Sequence, residues 1–267
     1  MTRHSQSLLG AARGAVVIAA LAAMVIVSTP ASSQTDLSAE DALDLVRSAW
    51  ENSRGRSSYG ELTMTIHRPD WERSISMRVW TKGTDHSLVR VVEPRKDAGS
   101  GTLMLAEQMW TYAPKINRVI KVPSSMMALS WMGSDFSNKD LSRADDIVKL
   151  YRHELVGEES HEGHRVYIIE SIPREDAAIV WGKEVLRIRD DGVLLAEEFY
   201  DQDGKLVKAL RALEVGELGG RVLATRQRMA KADNEDEWTE IRFDELRFDE
   251  DLEDSVFTLS NLRNPRR

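Results

Sequence analysis

Hydrophobic residues recur along this chain with two periods, and the switch between them marks where one kind of structure gives way to another. Ala39, Ala42, Leu43, Val46, Ala49 and Trp50 fall at helical spacing, with Glu40, Asp44 and Arg47 on the other side. Ser38 with Asp41 three residues later has the form of a capping box, and the SRGRSS stretch around Gly55 ends the helix. Beyond it the period becomes two. Leu62, Met64 and Ile66 alternate with Glu61, Thr63 and Thr65, and Ile75, Met77 and Val79 alternate with Ser74, Ser76 and Arg78. Short strands are predicted at residues 87–93, 103–106, 108–112 and 118–122. A second set is predicted at 151–157, 165–172, 180–189, 194–201, 205–214 and 222–230. The last run, Thr239, Ile241 and Phe243, changes parity to Leu246 and Phe248, which places a bulge near Asp244. Glu162-Gly163, Asp190-Asp191-Gly192, Asp201 to Gly204 and Gly219-Gly220 read as hairpin turns.

A long antiparallel meander of this kind has one wet face and one covered face. The helix above and a short one around residues 140–150 are all that the pattern offers as cover. The predicted fold class is therefore mainly β (α+β). It is a single, strongly curled antiparallel sheet with a small helical lid that leaves apolar interior space.

Methionine is concentrated in the first part of that meander, at Met64, Met77, Met104, Met109, Met126, Met127 and Met132, with only Met229 later. Its flexible, polarizable side chain adapts to varied apolar partners. The segment Ser124 to Phe136 is the densest case, adding Leu129, Trp131 and Phe136 within a turn-like composition. Two readings stand beside each other: an apolar binding patch, or a plug for the core of the sheet. Trp80, Trp110 and Trp131 admit the same two readings. Gly133 gives backbone freedom, and Ser134 and Asp135 can satisfy local N–H groups as a hinge and cap. Asp135 can equally cap a short helix containing Lys139 and Leu141.

Gly133 to Leu141, GSDFSNKDL, resembles a segment of the outer-membrane lipoprotein-sorting family, the LolA-like periplasmic carriers. Ser255 to Leu262, SVFTLSNL, is similar to that family's closing segment, and Glu197 to Leu210 to its mid-chain hairpin. Gly157 to Glu159 sits where the family has a turn. The resemblance runs over roughly residues 42–262. It implies an open, unclosed β-barrel with a helical lid over a hydrophobic cavity, and binding of acyl chains of lipids or lipoproteins during transfer across the periplasm toward the outer membrane. Partners implied are those acyl chains, with an inner-membrane transporter and an outer-membrane acceptor. The alternative is a non-catalytic accessory or sensor protein of an efflux-type membrane transporter complex. On this reading the cavity and lid are Met64, Met77, Met109, Met126, Met127, Leu129, Trp131, Met132 and Phe136.

Charge and composition narrow the picture further. The net charge of −8 argues against nucleic-acid binding, which needs clustered Lys and Arg. Arg3 and Arg13, the apolar run from Gly14 to Val27 and the small residues Ser28 to Ser33 follow the plan of a secretory signal. That run is short for a full membrane span of about 20 residues. The expected organisation is a signal peptide at 1–33, cleaved after Ala31 or Ser33, and one lipid-binding domain at 34–267 that acts as a monomer in the periplasm. The absence of cysteine excludes a thiol nucleophile, a cysteine zinc site and a lipid anchor on cysteine.

Other chemistry has weak support. His161 and His164 lack the i, i+4 spacing of a zinc helix, and Gly163 between them marks a turn. Asp201-Gln202-Asp203-Gly204 brings its glycine too early for a calcium loop. Ser134 lacks the G-x-S-x-G setting of a hydrolase nucleophile. The acidic runs 233–237 and 249–254 read as solvated edges or turns. No enzyme, cofactor or metal site is expected.

Overall fold

Alternation with period two over so much of the chain yields one sheet, as the computed structural model of residues 38–142 and 145–265 shows. The signal peptide expected at 1–33 lies outside these described residues. Helix α1 (Ala39–Arg54) starts at Ser38, whose hydroxyl accepts from Asp41 N while the Asp41 carboxylate accepts from Ser38 N. It is followed by β1 (Ser57–Arg68), β2 (Trp71–Lys82), β3 (His86–Glu93), β4 (Gly101–Leu105), β5 (Gln108–Ala113) and β6 (Arg118–Lys121). After short helices α2 (Asn138–Ser142) and α3 (Asp146–Lys149) come β7 (Tyr151–His161), β8 (His164–Pro173), β9 (Lys183–Arg189) and β10 (Leu194–Tyr200). The chain then forms β11 (Leu206–Leu218), β12 (Arg221–Lys231), β13 (Asn234–Phe248) and α4 (Leu259–Arg263).

All thirteen strands join one antiparallel sheet in the order β6-β5-β4-β3-β2-β1-β13-β12-β11-β10-β9-β8-β7, and the two edges do not meet. Two meanders are thus welded by β1 against β13. The bulge falls at Asp244, since Glu61 faces Glu245 and Leu62 faces Phe243. The curled sheet has an inner face that register makes continuous: Ile66 faces Thr239, Thr239 faces Met229, Met229 faces Leu210, Leu210 faces Glu197, and Glu197 faces Leu186.

The core is built in three parts. Ala42, Val46 and Ala49 of α1 pack with Ile147, Tyr151, Ile169, Leu186 and Ile188. Leu62, Met64, Ile66, Ile75, Met77, Val89 and Val91 on β1 to β3 pack beneath Trp131. On the opposite face, Phe257 and Leu262 cover Leu88 and Leu103, so the closing segment SVFTLSNL forms a 3-10 turn and α4 against the outside of the sheet.

Several expectations need correction. The helix around 140–150 is two separate short helices, α2 and α3. The strand expected from Val180 begins at Lys183, because Val180 is exposed and Gly182 lies against the Asp201 backbone. Gly157 to Glu159 is no turn. β7 runs through it with one extra residue, Val156, between the pairs Leu155–Ile169 and Gly157–Ile168.

Candidate functional site

Because β6 and β7 are opposite edges of the sheet, the segment joining them has to cross it. Residues 122–142 and 145–150 form that strap, which includes the methionine-rich segment. Its fastenings progress across the sheet. Trp131 Nε1 donates to Thr102 Oγ1 on β4 at 3.1 Å. Asp135 meets β1 and β13, and Asp140 takes Lys208 Nζ of β11 at 2.5 Å. Ile147 then enters the cluster that α1 makes with β7 to β9.

The central fastening is the most tightly built. Arg68 donates from both terminal nitrogens to the two Asp135 oxygens at 3.1 Å each. Thr239 Oγ1 donates to Asp135 Oδ2 at 2.7 Å and accepts from Asp135 N at 3.0 Å. Only 2% of the Asp135 side chain is exposed, against 15% for Arg68. Two-point contact fixes both position and orientation. The local turn supports it: Met132 and Gly133 have φ of 55° and 82°, and Ser134 N closes on Trp131 O at 2.9 Å. Two successive left-handed residues favour glycine at one of them. The buried Ser134 hydroxyl donates to Trp131 O at 2.7 Å and accepts from Phe136 N at 3.2 Å. Ser134 is thus engaged with the turn's own backbone. Asp135 is not a helix cap. Ser137 caps α2, with Asp140 N donating to Ser137 Oγ at 3.1 Å and Ser137 N to Asp140 Oδ2 at 2.7 Å.

Two cavities that share no lining residue open on the inner face. One, of about 450 Å³, lies between the strap and β3 to β6. Val89, Val91, Thr102, Thr111, Ile120, Met126, Trp131 and Met132 are among the residues lining it. The other, of about 250 Å³, lies under the C-terminal half of α1 against Leu62, Val79, Leu210 and Phe243. A small annex of about 130 Å³ adjoins it through Trp50, Glu197 and Leu210 and is walled by Phe136. The methionine-containing cluster of β1 to β3 stands between them, with Leu62 and Val79 toward one cavity and Val89, Val91, Trp131 and Met132 toward the other.

Of the residues singled out in the sequence, Met126, Trp131 and Met132 line the larger cavity and Phe136 the small annex. Met64 and Met77 are fully buried in the partition. Met109 is buried on β5, on the same face as Thr111, but does not line these cavities. Met127 is half-buried on the strap, and Leu129 is exposed. Arg68 and Thr239 were not singled out. The one signal for Arg68 is that it continues the inward row Leu62, Met64, Ile66 with a cation.

Polar groups at the strap's far end are also buried. Tyr151 OH donates to Glu184, and His153 Nδ1 lies 2.8 Å from Ser171 Oγ. Burial pushes the His153 imidazole down to about 4, with the Arg174 charge acting in the same direction and a backbone hydrogen bond to Ile147 opposing both. At the β8–β9 end, His164, Asp190 and Asp191 come together without His161. His164 there contacts Asp190 at 2.8 Å, and Arg189 takes both Asp191 oxygens at 3.0 and 2.6 Å. The His164–Asp190 contact ties neighbouring hairpins, and the Arg189–Asp191 contact lies within the β9–β10 turn.

The fold finds parallels among known proteins. The model of a family described as "-like: Uncharacterized protein" matches residues 83–264. No curated protein matches the chain. A crystal structure of a DUF1329 family protein from Desulfovibrio piger is 28% identical with a TM-score of 0.75, over 84% of this chain and 98% of that one. A domain described as outer membrane lipoprotein-sorting from Vibrio parahaemolyticus is 24% identical with a TM-score of 0.72, over 85% and 100%. A LolA superfamily protein from Nitrosomonas europaea is 23% identical with a TM-score of 0.67, over 81% and 97%. The latter two carry the likeness of fold: a curled, unclosed antiparallel sheet.

Proposed function

We propose, for a chain that belongs to the family matched over residues 83–264 and has the fold of a LolA superfamily protein, that it is a non-catalytic periplasmic carrier. It holds an acyl chain of a lipid or lipoprotein beneath the strap for transfer toward the outer membrane. The observation that carries this reading is the cavity of about 450 Å³ walled by Val89, Val91, Trp131 and two methionines, Met126 and Met132. Its volume falls within the range of about 300–1,000 Å³ common for small-molecule sites, whereas the cavity under α1 is smaller. Walls with predominantly apolar exposed area suit a ligand held mainly by hydrophobic burial.

Each methylene taken from water contributes about 0.8 kcal/mol, so ten contribute about 8 kcal/mol before the costs of association. Those costs keep loading reversible, as a carrier requires. Methionine walls accommodate chains of differing shape. In this account Gly133 is the hinge of the strap, Asp135 is its fastening to Arg68, and Ser134 keeps the turn in shape. The relevant domain is 34–267, following a cleaved signal at 1–33, and it works as a monomer.

A fluorescent fatty acid tests the reading. The protein binds it saturably, and an unlabelled fatty acid displaces it. Thr111→Trp, which fills the cavity without introducing charge, weakens binding at least about tenfold while Leu213→Trp, at an exposed position, leaves it unchanged. Absence of saturable binding, or equal binding by the filled variant, contradicts the proposal.

A further inference from the structure

The rim of the larger cavity combines cations with exposed apolar side chains. From Gln108 to Lys139 the sequence holds Lys115, Arg118, Lys121 and Lys139 but a single acid, Asp135, in a chain of net charge −8. Asp135 is buried against Arg68, and Lys139 reaches Asp146 at 3.2 Å. Lys115 and Arg118 are exposed, and Lys121 lies over the Trp110 ring at 5.7 Å. The same stretch exposes large apolar side chains: Ile116, Ile120 at 47%, Met126 at 45% and Leu129 at 52%. Ile120, Lys121 and Met126 all line the cavity, so this surface is also its mouth. The opposite sheet edge is different. On β7 the exposed Val156 stands among Glu154, Glu158 and Glu159.

Exposed apolar residues flanked by cations, on an otherwise acidic protein, match the interface of an anionic bilayer. Apolar side chains enter the acyl boundary while Lys and Arg remain at the headgroups. We propose that the β6 edge and the adjoining strap form a docking surface for an anionic lipid bilayer, presenting the cavity mouth to the membrane. Ile120, Met126 and Leu129 are the inserting side chains, and the exposed Lys115 and Arg118 supply the electrostatic attraction, with Lys121 at the cavity mouth. The acidic β7 edge keeps the remainder of the molecule facing water.

The absence of cysteine allows a site-resolved test in the full chain. An environment-sensitive fluorophore is attached at Leu129→Cys, or at Val156→Cys as the control on the opposite edge. Each protein is mixed with vesicles of phosphatidylglycerol and phosphatidylethanolamine, or of phosphatidylcholine alone. The Leu129→Cys label brightens and shifts to the blue with the anionic vesicles, the effect falls in high salt, and the Val156→Cys label does not respond. Lys115→Glu with Arg118→Glu, both exposed and outside the cavity lining, weakens the partitioning at least about tenfold. No response at Leu129→Cys, an equal response at Val156→Cys, or partitioning indifferent to the charge reversal overturns the proposal. Fatty-acid binding measured on the charge-reversed protein keeps the two readings apart. Retained binding with lost docking is expected. Docking by an unaltered protein that binds no fatty acid at all would sink the carrier reading and leave this one.

Discussion

Replacing Asp135 by alanine tests whether the strap is held where the account places its main fastening. The substitution removes both acceptors of the Arg68 fork and the acceptor of Thr239 Oγ1. Breaking a buried pair by removing one partner costs about 3–5 kcal/mol. Here the low end applies, because Arg68 retains carbonyl acceptors at His67, Trp238 and Gly133, at 2.7, 3.3 and 3.3 Å. The expected loss is about 3 kcal/mol in urea unfolding at unchanged m-value. Asp135→Asn, which keeps one acceptor, loses about half as much. A cycle with Arg68→Ala isolates the pair, and a coupling of at least about 1.5 kcal/mol is expected. Limited proteolysis locates the effect, with new cleavage appearing first in the strap. A loss below about 0.5 kcal/mol, or strictly additive single variants, refutes the assignment.

Three further outcomes follow from particular contacts. The folded pKa of His153, about 4, lies below its ordinary 6.5, so its contribution is complete above pH 6.5 and is lost as pH falls toward 4. That contribution is of the order of 3 kcal/mol, and His153→Gln should flatten the corresponding slope of urea stability between pH 7 and 4.5. Gly182→Ala puts a Cβ 2.3 Å from Asp201 O and should cost about 2 kcal/mol or more. Gly157→Ala, whose nearest neighbour is a side-chain carbon at 3.5 Å, should stay within about 0.5 kcal/mol in the same melt. Trp131→Ala should lose about 3 kcal/mol and enlarge the larger cavity, so that a bulkier fatty-acid probe binds relatively better than to the unaltered protein.

What the sequence disclosed follows from what is local. Inward alternation was visible because one face of the sheet is buried, and a parity change in β13 was enough to locate the bulge at Asp244. The Ser38–Asp41 box was legible for the same reason: both partners lie within one turn. The pairing of β1 with β13 leaves no trace in any local period, although it welds the two halves of the sheet. Nor does the strap's path, which follows only from β6 and β7 being opposite edges.

The site divides in the same way. The methionine bias pointed to a cluster of apolar side chains, and Met64, Met77 and Met132 do share one. Composition could not separate those that form the partition from those, such as Met126, that reach the cavity mouth. Asp135 in a Gly-Ser-Asp context looked like turn chemistry. Its partners Arg68 and Thr239 lie 67 and 104 positions away, beyond any motif. The resemblance put a turn at Gly157 to Glu159, whereas here the strand continues and the neighbouring Val156 is the extra residue of a bulge.

The central claim, an apolar chain held under the strap, is tested most directly by native mass spectrometry of the protein purified from its own periplasm without detergent. The spectra would be paired with organic extraction of the same sample. The account predicts a lipid, fatty acid or acylated protein bound to the unaltered chain and missing from Thr111→Trp. A consistently empty protein, or a ligand that persists when the cavity is filled, would contradict it.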